Sequence, residues 1–267
     1  MIEASLYDFA YVPSSLEQYH DLACIAMPEP WQFRNPETET VNVETPILER
    51  YICQVFRKQA ISYNYANAVE ADYLLYKRNE VCCFNTGLFT PNYEYIYMCF
   101  ERNKRKDSIK QWVFKEFAVV SSRRMKYIQP LPERPKYILQ QWMTYFDPDW
   151  SIRLDMERLI GCKDCIGKLP QSMRDNWNLR LLLETAVELS RRRARIDLNL
   201  AVITGFQGRI QYMLPLYMTM EDKPDFAIAL SVMEGHYIGH SFVSLESAYQ
   251  NARLIARPTV KWLSELV

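Results

Sequence analysis

A chain of 267 residues holds one large domain or two modest ones and can bury a substantial core. Its 32 basic residues balance 32 acidic ones, so no global positive field draws nucleic acid to it, and any such binding has to come from local patches. Only 7 glycines are present, no two of them one residue apart, which excludes a Rossmann G-x-G-x-x-G. A Walker A loop, a G-x-S-x-G elbow and an H-E-x-x-H pair are absent as well.

Glu3 and Asp8 stand where a signal peptide wants positive charge and an apolar run. No stretch reaches the roughly eighteen apolar residues of a membrane span. The 7 cysteines are odd in number and scattered, as reduced thiols are. These features predict a cytoplasmic protein with no membrane partner.

In chain order, Ser14 with Glu17 forms a capping-box pattern that opens a first helix, closed at Met27 by Pro28 and Pro30. Thr45-Pro46 opens a second, in which Ile47, Leu48, Tyr51, Ile52, Val55 and Phe56 recur at helical spacing. Strands are predicted at 73–76, 81–84, 93–100 and 111–120, paired as hairpins. Residues 129–136 hold three prolines and read as a linker between an N-terminal half, 1–128, and a C-terminal half, 137–267.

After the linker, 137–146 and 154–160 read as helical, and 178–195 as a strong helix with Leu179, Leu182, Leu183, Ala186 and Leu189 on one face. Residues 200–204, 209–218, 226–233 and 237–243 then read as a meander with turns at Gly205–Gly208 and Gly235. Ser244 caps a terminal helix whose stripe is Leu245, Ala248, Tyr249, Ala252, Ile255 and Ala256. Strands and helices come in runs, so the fold class is α+β, with mostly antiparallel sheets packed with amphipathic helices.

Several local patterns carry chemistry. Cys162-Lys163-Asp164-Cys165 is half of a zinc or redox site, but no further ligands sit at metal spacing, so no metal and no cofactor are predicted. His236 and His240 on one strand lie ~13 Å apart, too wide for one ion unless Gly239 breaks the strand. Of three basic clusters, at 102–106, 123–126 and 191–195, the first adjoins Tyr93, Tyr95 and Tyr97, which share a strand face. That is either a stacking platform for single strands or a set of half-buried core tyrosines. Asn85 and Thr86 either bond local backbone in a turn at Gly87 or face a ligand. Arg253 falls at the edge of the terminal helix's stripe beside Tyr249, where a partly buried guanidinium needs a carboxylate or an anion.

The segments Phe84–Leu88 (FNTGL), Glu94–Tyr97, Ile210–Tyr217 (IQ-x-x-LPLY) and Ala248–Pro258 (AY-x-NARLIARP) resemble an uncharacterised bacterial domain family. Its members can occur beside LOTUS (OST-HTH) domains, which are thought to bind RNA. The resemblance spans nearly the whole chain and implies an RNA-linked context and no particular activity. The chain has Met156-Glu157-Arg158 where the family usually shows a His.

These observations lead to a non-catalytic module that binds single-stranded RNA or a nucleotide. Asn85, Thr86, Gln211, Tyr249, Asn251, Arg253 and Arg257 are its ligand residues, with phosphate received by Arg253 and Arg257. A rival is a metal-dependent phosphoester-processing enzyme using Asp225 or Glu246. A third reading is a scaffold with a protein partner.

Overall fold

Two runs of apolar strands each close into a mainly antiparallel sheet, one in Met1–Lys136 and one in Tyr137–Val267. A computed structural model describes residues 1–29, 31, 45–105, 108–136, 145–169, 171–206 and 209–264. The observed class is α+β, as the grouping of strands and helices predicts.

The first unit comprises α1 (Leu6–Phe9), β1 (Ala10–Tyr11), α2 (Ser15–Ile25), α3 (Pro46–Tyr65), α4 (Ala68–Leu74), β2 (Tyr76–Lys77), β3 (Val81–Phe89), β4 (Tyr95–Arg102) and β5 (Trp112–Val119). The strand order is β1-β5-β4-β3-β2, with only β1 pairing parallel. The α3 stripe is buried as its spacing predicts, and Phe56 meets Phe84 of the sheet at 5.3 Å and Phe9 of α1 at 5.0 Å. The other sheet face carries Cys83, Tyr97 and Cys99, covered by Met125 and Ile128.

Three local expectations change. Ser14 adopts φ 48° and makes no side-chain cap bond, so α2 starts without a capping box and ends at Ile25. Tyr73 and Leu74 end a helix instead of opening a strand. Asn67 accepts from the amides of Val69 and Glu70 at 3.1 and 3.0 Å, and a capped run of helix formers outweighs the β preference of tyrosine. The strand through Phe84 continues to Phe89, with its register shifted between Asn85 and Phe89. Gly87 sits in that shift at φ +73°. The proline-rich segment is pinned within this unit: Gln59 Nε2 donates to the Glu133 carbonyl at 2.7 Å, and the Glu133 amide donates to the Tyr73 carbonyl at 2.7 Å.

The second unit comprises β6 (Ser151–Leu154), α5 (Met156–Gly161), α6 (Lys163–Ile166), α7 (Gln171–Arg174), α8 (Leu179–Ile196), β7 (Val202–Phe206), β8 (Arg209–Leu216), β9 (Phe226–Met233), β10 (His236–Val243), α9 (Leu245–Arg253) and α10 (Lys261–Ser264). The meander β7 to β10 forms as expected. Residues 137–144, expected to be helical, lie outside the described residues. A strand that periodicity does not foresee, β6, adds parallel to β10 and takes Leu154 from the predicted helix. Four residues are too few to display a period of two.

One core joins Leu183, Ala186 and Val187 of α8 to Leu214 of β8, Ile228 of β9 and Tyr237 and Phe242 of β10. Tyr237 and Phe242 are five positions apart, so in a regular strand they would face opposite sides. A register shift between Gly239 and Ser241 leaves His240 without a Cα partner on β9 and brings both rings to the core. Gly239 makes room there: a Cβ would lie 2.7 Å from Ile228 Cδ1 and 2.8 Å from Leu154 Cδ2, and those side-chain ends would have to shift.

The basic run at the end of α8 is paired. Glu188 bridges Arg191 at 2.8 Å and Arg192 at 2.9 Å, and Arg195 meets Asp149 at 3.1 Å. Arg193 lies over the Tyr217 ring at 4.2 Å. Among the described residues, no helix is long and apolar enough to cross a membrane.

Two outcomes follow from this packing. Gly87→Ala should destabilise the first unit by about 1–3 kcal/mol in chemical denaturation, because the new Cβ would sit 2.7 Å from the Tyr51 hydroxyl at a positive φ. Tyr51→Phe in that background should restore only part of the loss, since the backbone strain stays. In the second unit, the hydrogen bonds from Arg191 and then Arg192 draw the Glu188 carboxyl down to about 2, below an unfolded value of about 4.3. Its stabilisation is present above the unfolded value and is lost as pH falls towards 2. Thermal melts between about pH 5 and 2 should therefore show a steeper decline for wild type than for Glu188→Gln.

Candidate functional site

The terminal helix α9 forms because Ser244 caps it, its Oγ accepting from the Ser247 amide at 3.3 Å. Leu245, Ala248, Tyr249 and Ala252 are buried on one side. Ser244, Ser247 and Asn251 recur at i, i+3 and i+7 and make a polar stripe on another. That stripe lines a cavity of about 240 Å³. Gln211 of β8 and Ala229 of β9 line it from the sheet, and His240 and Ser241 from the bulge of β10. Arg158 of α5 and Lys168, which follows α6, complete it.

His240 is the chemically unusual member. Both ring nitrogens are buried, and neither makes a hydrogen bond of good geometry with another residue; the ring's one polar contact is a weak one with its own backbone. Burial is the main cause that lowers its pKa below the usual imidazole value, followed by the positive charge of Arg158; Asp155 and then a weak contact with the residue's own backbone act in the opposite sense, and Lys168 in the same one. The ring is thus neutral at pH 7, with one N–H and one bare nitrogen both unmet. Arg158 and Lys168 are exposed, and His240 is half-buried between them and the sheet lining of the same cavity. Lys168 Nζ donates to Ser241 Oγ at 3.2 Å. Ion pairs of this unit found among the described residues lie elsewhere, on Arg180, Arg191, Arg192 and Arg195.

Of the seven residues singled out in the sequence, Gln211 and Asn251 line this cavity. Tyr249 and Arg253 are buried on α9 at 1% and 8% exposure, outside the cavity lining, and Arg257 is exposed beyond the helix end. Asn85 and Thr86 belong to the first unit, where local backbone engages both. Asn85 Nδ2 donates to the Pro132 carbonyl at 3.2 Å, and its Oδ1 accepts from the Gly87 amide at 2.8 Å. Thr86 Oγ1 donates to the Ile96 carbonyl at 2.6 Å and accepts from the Leu88 amide at 3.2 Å.

Other candidates resolve into structural roles. Tyr97 is buried, Tyr95 packs against the same cluster, and Tyr93 lies outside β4 at φ 61°, so the three do not form one open stacking face. Arg124 pairs with Glu101 at 2.9 Å and Glu116 at 2.5 Å. Asp225 accepts from the Met218 and Thr219 amides at 2.8 and 3.0 Å and so closes the connection between β8 and β9. The Cys162 thiol is pulled below its usual value by the amides of Cys165 and Asp164. Among the described residues, no three His, Cys, Asp or Glu side chains are placed to hold a metal ion.

Arg158 and Lys168 are cavity residues that the sequence does not flag, and His240 is weighed there only as a metal ligand. His240 had a signal in the odd spacing of Tyr237 and Phe242 around Gly239. The two cations had none, because α5 and α6 pack on β10 at long range in the chain, beside the parallel pairing of β6 with β10.

The chain belongs to the family described as a domain of unknown function, DUF3825, whose model matches residues 22–262. No curated protein and no solved structure matches it.

The electrostatics of the cavity are open to direct measurement. In an NMR titration of the three histidines, His240 should titrate below the usual imidazole value. Arg158→Ala should raise its pKa and Asp155→Asn should lower it. A His240 pKa unmoved by either substitution would separate the ring from these charges.

Proposed function

We propose that this chain binds a phosphate-bearing ligand, a nucleotide or a short single-stranded RNA, in the cavity of its second unit. The observation that carries the reading is His240, an imidazole with both nitrogens buried and unpartnered beside two cations. A buried polar group without a partner costs about 1–3 kcal/mol, and a ligand that meets both nitrogens recovers it.

The surroundings suit an anion. Arg158 offers a planar fork of donors and Lys168 a compact positive charge. The first turn of α9 adds the positive end of a helix dipole, with Ser244 and Ser247 beside it. Gln211 and Asn251 supply paired donors and acceptors for a sugar or a base edge. The balanced net charge argues against a long nucleic-acid footprint and favours a short ligand held locally. The RNA-linked context implied by the family resemblance agrees with that choice. Phosphate contact passes in this reading from Arg253 and Arg257 to Arg158 and Lys168, while Gln211 and Asn251 keep their roles. The rival enzyme loses one of its carboxylates, because Asp225 is held by two backbone amides.

Calorimetric titration with nucleotides and short RNAs tests the reading. Binding should weaken with salt, with a log–log slope of about −0.7 per phosphate neutralised. Arg158→Ala with Lys168→Ala should cut affinity by about tenfold or more while the melting curve stays near wild type, since both side chains are exposed. Absence of binding by every nucleotide and RNA tried at millimolar concentration would overturn it.

A further inference from the structure

The shape and donor inventory of the cavity say which kind of phosphate fits. Its volume of about 240 Å³ lies below the ~300–1,000 Å³ of most small-molecule sites. The sheet, α9 and the α5–α6 segment all contribute to its lining, and a volume of this size suits a phosphate and part of its sugar. A phosphodiester within a strand carries a substituent on two of its oxygens and needs an exit for each. A terminal phosphomonoester needs only one.

Charge and proton count point the same way. Arg158 and Lys168 bring two positive charges, and a monoester carries about −1.5 to −2 near neutral pH, whereas a diester carries one negative charge. His240 adds a sharper criterion. A neutral imidazole has one donor and one acceptor nitrogen. A diester offers only acceptor oxygens and carries no titratable proton near neutral pH, so it can accept from the N–H but cannot share a proton with the ring. A monoester has a second pKa of about 6, so it and the ring can hold one proton between them. With that shared proton, either as P–O–H donating to neutral imidazole or as imidazolium donating to the dianion, the ring nitrogen that faces the phosphate is met, and the other, which points to the opposite side of the ring, is left to other polar groups of the ligand or the lining.

Resting on the reading of the cavity as a phosphate site, we infer that it is an end-binding site, which takes a terminal phosphomonoester and discriminates against the internal phosphodiester of a continuous strand. The groups that face His240 set its pH behaviour. α5 contributes Asp155 and Arg158, and the segment after α6 contributes Lys168. The α9 and β8 residues in the lining, Ser244, Ser247, Asn251 and Gln211, do not titrate in this range. Once pH exceeds both the phosphate's second pKa and that of the bound ring, the shared proton is gone and the bare nitrogen faces phosphate lone pairs. Monoester affinity therefore falls as pH rises above neutrality, and diester affinity does not follow it.

The test compares, on the intact chain, a nucleoside, its 5′- and 3′-monophosphates, a dinucleoside monophosphate with only an internal diester, and inorganic phosphate. A short RNA with and without a terminal phosphate completes the set. The monophosphates should bind about tenfold or more tightly than the dinucleoside monophosphate, and the advantage should shrink from pH 6 to pH 8. Removing the terminal phosphate from the RNA should lower its affinity by a similar factor. Tighter binding of the phosphorylated RNA than of the mononucleotides assigns the ligand to an RNA end, and the reverse order to a free nucleotide; both support the inference. Inorganic phosphate equal to the monophosphates also supports it and places recognition in the phosphate alone. A dinucleoside monophosphate that binds as well as the monophosphates overturns end selection but leaves a phosphate site standing, and a pH-independent monoester advantage overturns the shared proton. If no phosphate compound binds, the parent reading and this inference fall together. These comparisons need only wild-type protein, so no conclusion hangs on whether a His240 variant folds.

Discussion

Tyr237 and Phe242 both have to reach the core that α8 closes, and a regular strand cannot deliver them there from positions five apart. Much else in the second unit follows from how β10 meets that constraint. It takes in one extra residue, and the register shift between Gly239 and Ser241 leaves His240 outside the ladder. Gly239 lets the side chains of Leu154 and Ile228 close over the backbone just before the shift. The strand then runs on through Phe242 to Ser244, where α9 is capped. The geometry that buries two aromatic rings thus also places an imidazole and a helix N-terminus around one small cavity.

The first unit shows the same device with a different outcome. Its sheet shifts register between Asn85 and Phe89, with Gly87 at positive φ. Asn85 and Thr86 are carried inside, at 1% and 0% exposure. Their hydrogen bonds to Pro132, Gly87, Ile96 and Leu88 satisfy them within the chain. The FNTGL segment is therefore a brace. It holds the proline-rich segment and stabilises the irregular end of β3, and its distinctiveness in sequence reflects a demanding backbone.

Much of this architecture was legible in the sequence and some was not, for physical reasons that differ by element. Long periodic segments such as α3 and α8 declare themselves, because many residues share one face and single exceptions do not blur the period. The four meander strands do so because alternation and turn glycines agree. Short elements fail: β6 has four residues, and α4 is set by the Asn67 cap against the β preference of its tyrosines. Asn251, named from the sequence as a ligand residue, lines the cavity because it follows Ser244 and Ser247 on the polar face of α9. Arg158 and Lys168 were not legible, since exposed cations occur throughout the chain, and the packing of α5 and α6 on β10 brings these two beside His240.

A pattern of conspicuous polar residues does not by itself tell a brace from a binding site; the accounting of hydrogen bonds does. Asn85, Thr86 and Asp225 look as suggestive in sequence as His240, and each meets its needs within the chain. Ser190, fully buried on α8, does so too, through the Pro215 carbonyl at 2.6 Å. His240 alone among these five residues has a buried donor and a buried acceptor that the fold leaves unanswered, next to positive charge that bears on it. A bulge that needed only to seat Tyr237 and Phe242 could carry an apolar or small residue at that position at lower cost. The imidazole at this position is the group that the proposed ligand would complete.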